Sequence, residues 1–104
     1  MKLENKEFGF NNFSGAMEKL KNEEHFDYLV TIVGEDFGPE EGLGCIYILE
    51  NTETHERISV KQLAKRIGEE YVIPSVIGLW HDADLLEREV FDFLGIKFLG
   101  HPDM

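Results

Sequence analysis

Hydrophobic positions along the chain change period several times, and each change marks an element. Phe13, Ala16, Met17 and Leu20 recur at helical spacing, Asn12 or Ser14 can cap their N-terminal side, and Lys19 and Lys21 sit near the negative end, so a helix is expected over about 12–24. In the stretch HFDYLVTIVGEDF the period drops to two: Phe26, Tyr28, Val30 and Ile32 alternate with Asp27, Leu29, Thr31 and Val33, a β-branched and aromatic run that suits a strand. GEDFGPEEGLG then gathers acids, glycines and a proline, the composition of an exposed turn. Its glycine spacing fits neither nucleotide-binding loop, and Glu35, Asp36, Glu40 and Glu41 would repel a phosphate.

A hairpin follows, with strands over about 44–50 and 56–63 joined by the polar turn Asn51-Thr52-Glu53-Thr54. From Ala64 to Ile73 the pattern is mixed, Pro74 favours a break, and Ser75 can cap a short turn carrying Val76, Ile77, Leu79 and Trp80. The last helix starts at Asp82 or Asp84, with Glu87 three residues after Asp84 as in a capping box. Leu86, Val90, Phe93 and Leu94 form its expected buried face, and Asp84, Arg88 and Asp92 an exposed ladder. Gly95 ends it as a left-handed cap, and Ile96, Phe98 and Gly100-His101-Pro102 run out as an extended tail. The expected fold is α+β: a small antiparallel sheet of about three strands, an N-terminal helix packed on it, and a C-terminal helix with an extended tail. Residues 1–104 form one domain, since the length suits one modest core.

Composition narrows the function. With 42% apolar residues and aromatics spread along its length, the chain is not disordered by composition. Its formal charge is -11, from 21 acids against 10 bases, which argues against nucleic acid as a partner and fits a soluble surface or a docking face for a basic protein. The lone Cys45 cannot form an internal disulfide or hold an iron-sulfur cluster by itself, and one cysteine suits a reducing cytoplasm. The start MKLENKEFGF lacks the apolar core of a signal peptide, and no run reaches the length of a membrane span, so membrane association is expected only through partners.

Candidate chemistry concentrates toward the C-terminus, in His81, Asp82, Asp84, Glu87, Glu89, Asp92, His101 and Asp103. Imidazoles and carboxylates are metal ligands and acid-base groups, so a small metal-dependent hydrolase is one reading, although no known metal-binding spacing is present. His25 and His55 stand alone beside strands, Cys45 opens an apolar strand as a buried and inert thiol, and Trp80 belongs to the core. Phe91, Phe98 and Leu99 are too many apolar groups for a free terminus to leave wet, and they predict a partner or self-association of the isolated domain through that end.

Glu87-Arg88-Glu89, Asp92, the Phe93-Leu94 pair, Gly95-Ile96, Phe98 and Gly100-His101-Pro102-Asp103 resemble the C-terminal motif of the thirty-kilodalton (30 kDa) C-type subunit of proton-pumping respiratory complex I, an NADH:quinone oxidoreductase. Upstream, Ile73-Pro74-Ser75-Val76, Leu79-Trp80 and Ala83 are collinear with it. Two positions depart: Leu85 stands where an aromatic is more usual, and Met104 ends the chain where the family continues, so a longer native protein or a fusion to a further subunit is expected.

The resemblance implies a non-catalytic subunit of the hydrophilic peripheral arm, on the cytoplasmic side of the inner (plasma) membrane. It would bind no cofactor itself and dock against quinone-site and iron-sulfur subunits, which hold the clusters and quinone. Glu87, Arg88, Glu89 and Asp92 would form ion pairs within or across that contact, and Phe98, Gly100, His101, Pro102 and Asp103 complete the implied interface. The equivalent domain of a membrane-bound nickel-iron hydrogenase related to complex I is the alternative.

Overall fold

The structure is a computed structural model that describes residues 3–104. In chain order, strand β1 (Glu4–Glu7) leads through a 3-10 turn (Phe10–Asn12) into helix α1 (Phe13–Asn22), followed by β2 (Tyr28–Asp36), β3 (Leu43–Glu50), β4 (Arg57–Leu63), β5 (Lys65–Ile67), β6 (Glu70–Pro74), helix α2 (Ala83–Leu94) and β7 (Ile96–Leu99). The strands make two mixed sheets. In the larger the order is β1-β4-β3-β2, with β1 parallel to β4; in the smaller it is β5-β6-β7, with β7 parallel to β6.

The α+β class and the helix, three-strand and helix order match the sequence expectation, and four short strands add to it. Each was obscured for a physical reason. β1 reads Glu-Asn-Lys-Glu, with no apolar alternation, because an edge strand can be held by backbone pairing alone. β5 and β6 turn about Gly68, whose φ of 64° needs a residue without Cβ strain. The expected extended tail is strand β7, whose partner β6 lies across the whole of α2, beyond any local pattern.

Strand β2 corrects the expected facing of Phe26, Tyr28, Val30 and Ile32. It begins at Tyr28, and its pairing with β3 shifts between Leu29 and Thr31. That bulge inserts one residue and reverses the parity, so Leu29 and Ile32 point inward while Tyr28 is exposed. Phe26 is buried too, but from the loop before the strand.

The core lies on the inner face of the larger sheet, where Cys45, Tyr47 and Leu49 of β3 and Ile58 and Val60 of β4 meet Phe13, Met17 and Leu20 of α1. Trp80 closes one end and its indole N–H donates to the Phe26 carbonyl at 3.1 Å. Burial pushes the Cys45 thiol up to about 12, so it stays protonated.

The acidic turn is an exposed loop that folds back on the sheet. Lys61 reaches Glu41 at 2.8 Å and lies 4.3 Å from the centre of the Phe37 ring. Beneath it, a Cβ on Gly44 would lie 2.6 Å from the Gln62 carbonyl and 3.0 Å from Phe37. Because the nearer obstacle is sheet backbone, Gly44→Ala is expected to destabilise by about 3 kcal/mol, at the upper end for overpacking. Urea melts would check this, and an unchanged midpoint would disprove the close approach.

Candidate subunit interface

The C-terminal motif is built around one buried carboxylate. Helix α2 presents Ala83, Glu87 and Val90 inward, so Glu87 occupies a core position of an otherwise apolar stripe. It is fully buried, and its oxygens accept from the Ser75 hydroxyl at 2.6 Å and the Val76 N–H at 2.8 Å. Ser75 Oγ in turn accepts from the Ile77 N–H at 3.1 Å, so the expected Ser75 cap is present and Glu87 reinforces it. Burial raises the Glu87 pKa above the usual carboxylate range, while the hydrogen bonds from Ser75 and Val76 oppose that rise.

Neither expected helix cap uses its side chain. Asn12 and Asp82 occupy the N-cap positions without a side-chain bond, and Glu87 does not turn back to close a capping box because the Ser75-Val76 turn holds it. At the other end, Gly95 takes φ 77° and its N–H bonds the Phe91 carbonyl, the left-handed cap that the sequence predicts.

Beyond β7 the chain reverses at Gly100, with φ 91°, and brings the tail back onto α2. The His101 side chain is fully buried there. Its Nδ1 accepts from the Asp103 N–H at 3.1 Å, which leaves Nε2 as the protonated nitrogen, facing the Asp84 carbonyl at 3.1 Å and Asp84 Oδ1 at 3.0 Å. Arg88 reaches Asp103 at 3.7 Å. These cross-links replace the expected Asp84, Arg88 and Asp92 ladder: the returning tail offers Asp84 and Arg88 nearer partners than their helical neighbours.

The motif thus divides into an inward and an outward set. Glu87, Phe98 and His101, read from sequence as interface residues, are buried within the chain and hold α2, β7 and the terminal turn together. Arg88, Glu89, Asp92, Gly100, Pro102 and Asp103 are exposed. Phe93, expected in the core, is 83% exposed and Leu85 62% exposed. At 100° per residue Phe93 lies about 90° from the middle of the Ala83, Glu87, Val90 and Leu94 stripe, which carries it past the rim. Phe91 and Leu99 are exposed as expected. Leu85 also borders an open groove of about 410 Å³ shared with Tyr28, His81 and Asp82.

Gly34 lets this helix approach the sheet, since a Cβ there would lie 2.7 Å from Leu94 Cδ1 and 3.0 Å from Val90 Cγ1. Sequence reasoning missed Ser75 and Val76 as partners of Glu87, and Phe93 as a surface group. A glutamate on the apolar stripe of α2 was the available clue.

The acidic cluster does not converge. Among the described residues no group of three or more His, Cys, Asp or Glu side chains could hold a metal ion, and Glu87 faces Ser75 while Glu89 and Asp92 face solvent. His25 and His55 are exposed loop residues, both with φ 64°, and the His55 N–H closes its turn on the Asn51 carbonyl. No helix among the described residues is long and apolar enough to cross a membrane.

With four large apolar groups uncovered around α2 and β7, the isolated chain is expected to dimerise at micromolar concentration. Sedimentation equilibrium would check this, and a clean monomer across that range would count against it.

Residues 10–104 match the family described as respiratory-chain NADH dehydrogenase, 30 Kd subunit. Among curated relatives, the chain is 47% identical over 88 residues to the C/D subunit of the NADH-quinone oxidoreductase of Phocaeicola vulgatus, covering 85% of this chain and 17% of that protein. It is 35% identical over 88 residues to the C subunit of the NADH-quinone oxidoreductase of Moorella thermoacetica, covering 85% of this chain and 58% of its relative. The chain therefore spans about a sixth of the first and under two thirds of the second.

Among solved structures, a trypsin-resistant fragment of Nqo5 superposes with a TM-score of 0.84 at 30% identity, covering 94% of this chain and 80% of that one. A chain of the membrane-bound sulfane sulfur reductase, an archaeal respiratory membrane complex, superposes at 0.82 with 27% identity, covering 99% of this chain and 61% of that one. With its terminal motif intact and its fold shared with Nqo5, the chain belongs to the family of the respiratory-chain NADH dehydrogenase 30 kDa subunit.

Proposed function

We propose that this chain is a non-catalytic structural module of the peripheral arm of a proton-translocating NADH-quinone oxidoreductase. It docks through the exposed side of α2 and β7 against the quinone-site and iron-sulfur subunits, on the cytoplasmic side of the membrane. Clusters and quinone sit in those partners, and this chain contributes a rigid surface. The observation that carries the reading is the division of the family motif: Glu87, Phe98 and His101 lock the segment from inside, while Phe93, Leu85, Phe91 and Leu99 are offered to solvent. A rigid element with an apolar, charge-fringed outer face suits docking, because little order must be gained on binding. Arg88, Glu89, Asp92, Pro102 and Asp103 form the polar fringe.

The relatives favour this reading over the hydrogenase alternative, since both the Phocaeicola and the Moorella proteins are named as quinone oxidoreductase subunits. The test is affinity purification of the native protein from detergent-solubilised membranes of its host, with co-purifying chains identified by mass spectrometry. Recovery of quinone-site and cluster-bearing subunits is expected. Recovery of the chain alone would reject the docking role, and recovery of a nickel-iron large subunit would restore the alternative.

A further inference from the structure

The inner face of the larger sheet carries a polar site that the docking role does not use. Tyr47 is fully buried and its hydroxyl has no hydrogen-bond partner among the described residues; Gln62 is 1% exposed and its Oε1 likewise has none there. The β3/β4 register explains their proximity. Cys45 lies directly opposite Gln62 and Tyr47 opposite Val60, so Tyr47 and Gln62 are diagonal neighbours on one face, with Cys45 adjacent to both.

Their chemistry is complementary but indirect. A phenol at neutral pH needs an acceptor for its proton, and burial holds this one protonated far above neutrality. An amide oxygen needs a donor, and the Gln62 amide is oriented by its own Nε2–H, which donates to the Leu63 carbonyl at 3.1 Å. The two groups do not bond each other, yet the sheet sets them one diagonal step apart. Buried polar groups of this kind are rarely left unmet, and a site with two polar partners suits one internal water.

The geometry points to a structural water-binding site in the core, in which one water accepts from the Tyr47 hydroxyl and donates to Gln62 Oε1, with the Cys45 thiol as its third, weaker neighbour. Such a water ties β3 to β4 across the layer that receives α1, where Phe13 packs 5.4 Å from the Tyr47 ring. Gln62 and the protonated thiol and phenol carry no charge of their own; the nearby acid that acts on both Cys45 and Tyr47 is Glu87, which is already held by Ser75 and Val76.

Tyr47→Phe and Gln62→Met of the full chain test the bridge by urea unfolding. Each single variant should lower the folded-to-unfolded ratio by roughly tenfold, and the double variant by little more than either alone, because the same water is lost once. A Tyr47→Phe chain as stable as or more stable than the parent would mean that the hydroxyl is an unmet burden, and would overturn the site. Additive losses would overturn the shared water. Should either variant fail to fold, a high-resolution crystal structure of the unmodified chain decides directly: density for one water within hydrogen-bond reach of both atoms supports the site, and its absence rejects it.

Discussion

Glu87→Ala is expected to destabilise the fold by about 3–5 kcal/mol, the largest single effect we predict for a residue of the motif. The change leaves the Val76 N–H and the Ser75 hydroxyl without an acceptor in the interior, each of which costs about 1–3 kcal/mol. The melting temperature should then fall by roughly 4–8 °C for every kcal/mol lost, as is usual for a domain near this size. Glu87→Gln should retain most of the stability, because its amide oxygen can still accept from Val76 and its amide N–H can donate to Ser75 Oγ. If the alanine variant melts within a few degrees of the parent, Glu87 is not the pin that joins α2 to the 75–80 turn.

The same pair carries a pH signature. The folded-state pKa of Glu87 is raised, so the folded protein binds more protons than the unfolded one in the window from the ordinary carboxylate value of 4.5 up to the raised value. Stability from this group is fully present below that window and is lost as pH rises through it. Asp27 acts oppositely: the Thr52 hydroxyl and N–H hold its carboxyl below its usual value, so its contribution is lost as pH falls. Comparing the parent with Glu87→Gln cancels the Asp27 effect and isolates Glu87. The stability of the parent relative to that variant should decline as pH increases from 4 toward 8, and a difference rising with pH would contradict the assigned environment.

Phe93→Lys is expected to have the opposite profile: near-native stability with docking reduced by about 30-fold to 1,000-fold. An aromatic side chain at the centre of an interface is commonly worth about 2–4 kcal/mol to binding, whereas an exposed helical site tolerates substitution within about 0.5 kcal/mol. Lysine also suits the last turn of α2, which holds no basic residue of its own. Co-purification of the variant with its membrane partners, quantified against the parent, would measure the loss. Undiminished recovery would place the docking face elsewhere on the molecule, and a simultaneous collapse of the melting temperature would show that Phe93 serves the fold instead. Leu85→Lys, on the groove shared with Tyr28, tests how far the face extends along the helix.

The amount of this site that was legible in the sequence differs residue by residue. The terminal motif stood out as a family signature, and Gly95, Trp80 and the 51–54 turn take the roles their residue types suggest. Glu87, however, followed the pattern of a surface ion, because a capping box is a local rule that turns that side chain back toward the start of the helix. Only the approach of Ser75 and Val76, twelve and eleven residues earlier, gives the carboxylate a reason to be inside. His101 is similar: its burial depends on the reversal at Gly100 and on Asp84 across the helix.

From the sequence alone came the α+β class, two amphipathic helices, the β3/β4 hairpin, the buried thiol and the motif, since each rests on periodicity, turn chemistry or a contiguous string of residues. Tertiary structure decided the rest: the bulge that turns Tyr28 outward, the parallel pairing of β6 with β7, the burial of Glu87 and His101, and the exposure of Phe93. Those outcomes depend on which distant segment satisfies a hydrogen bond or covers an apolar face. A one-dimensional pattern records that a residue prefers burial, but the packed partner determines where burial is available.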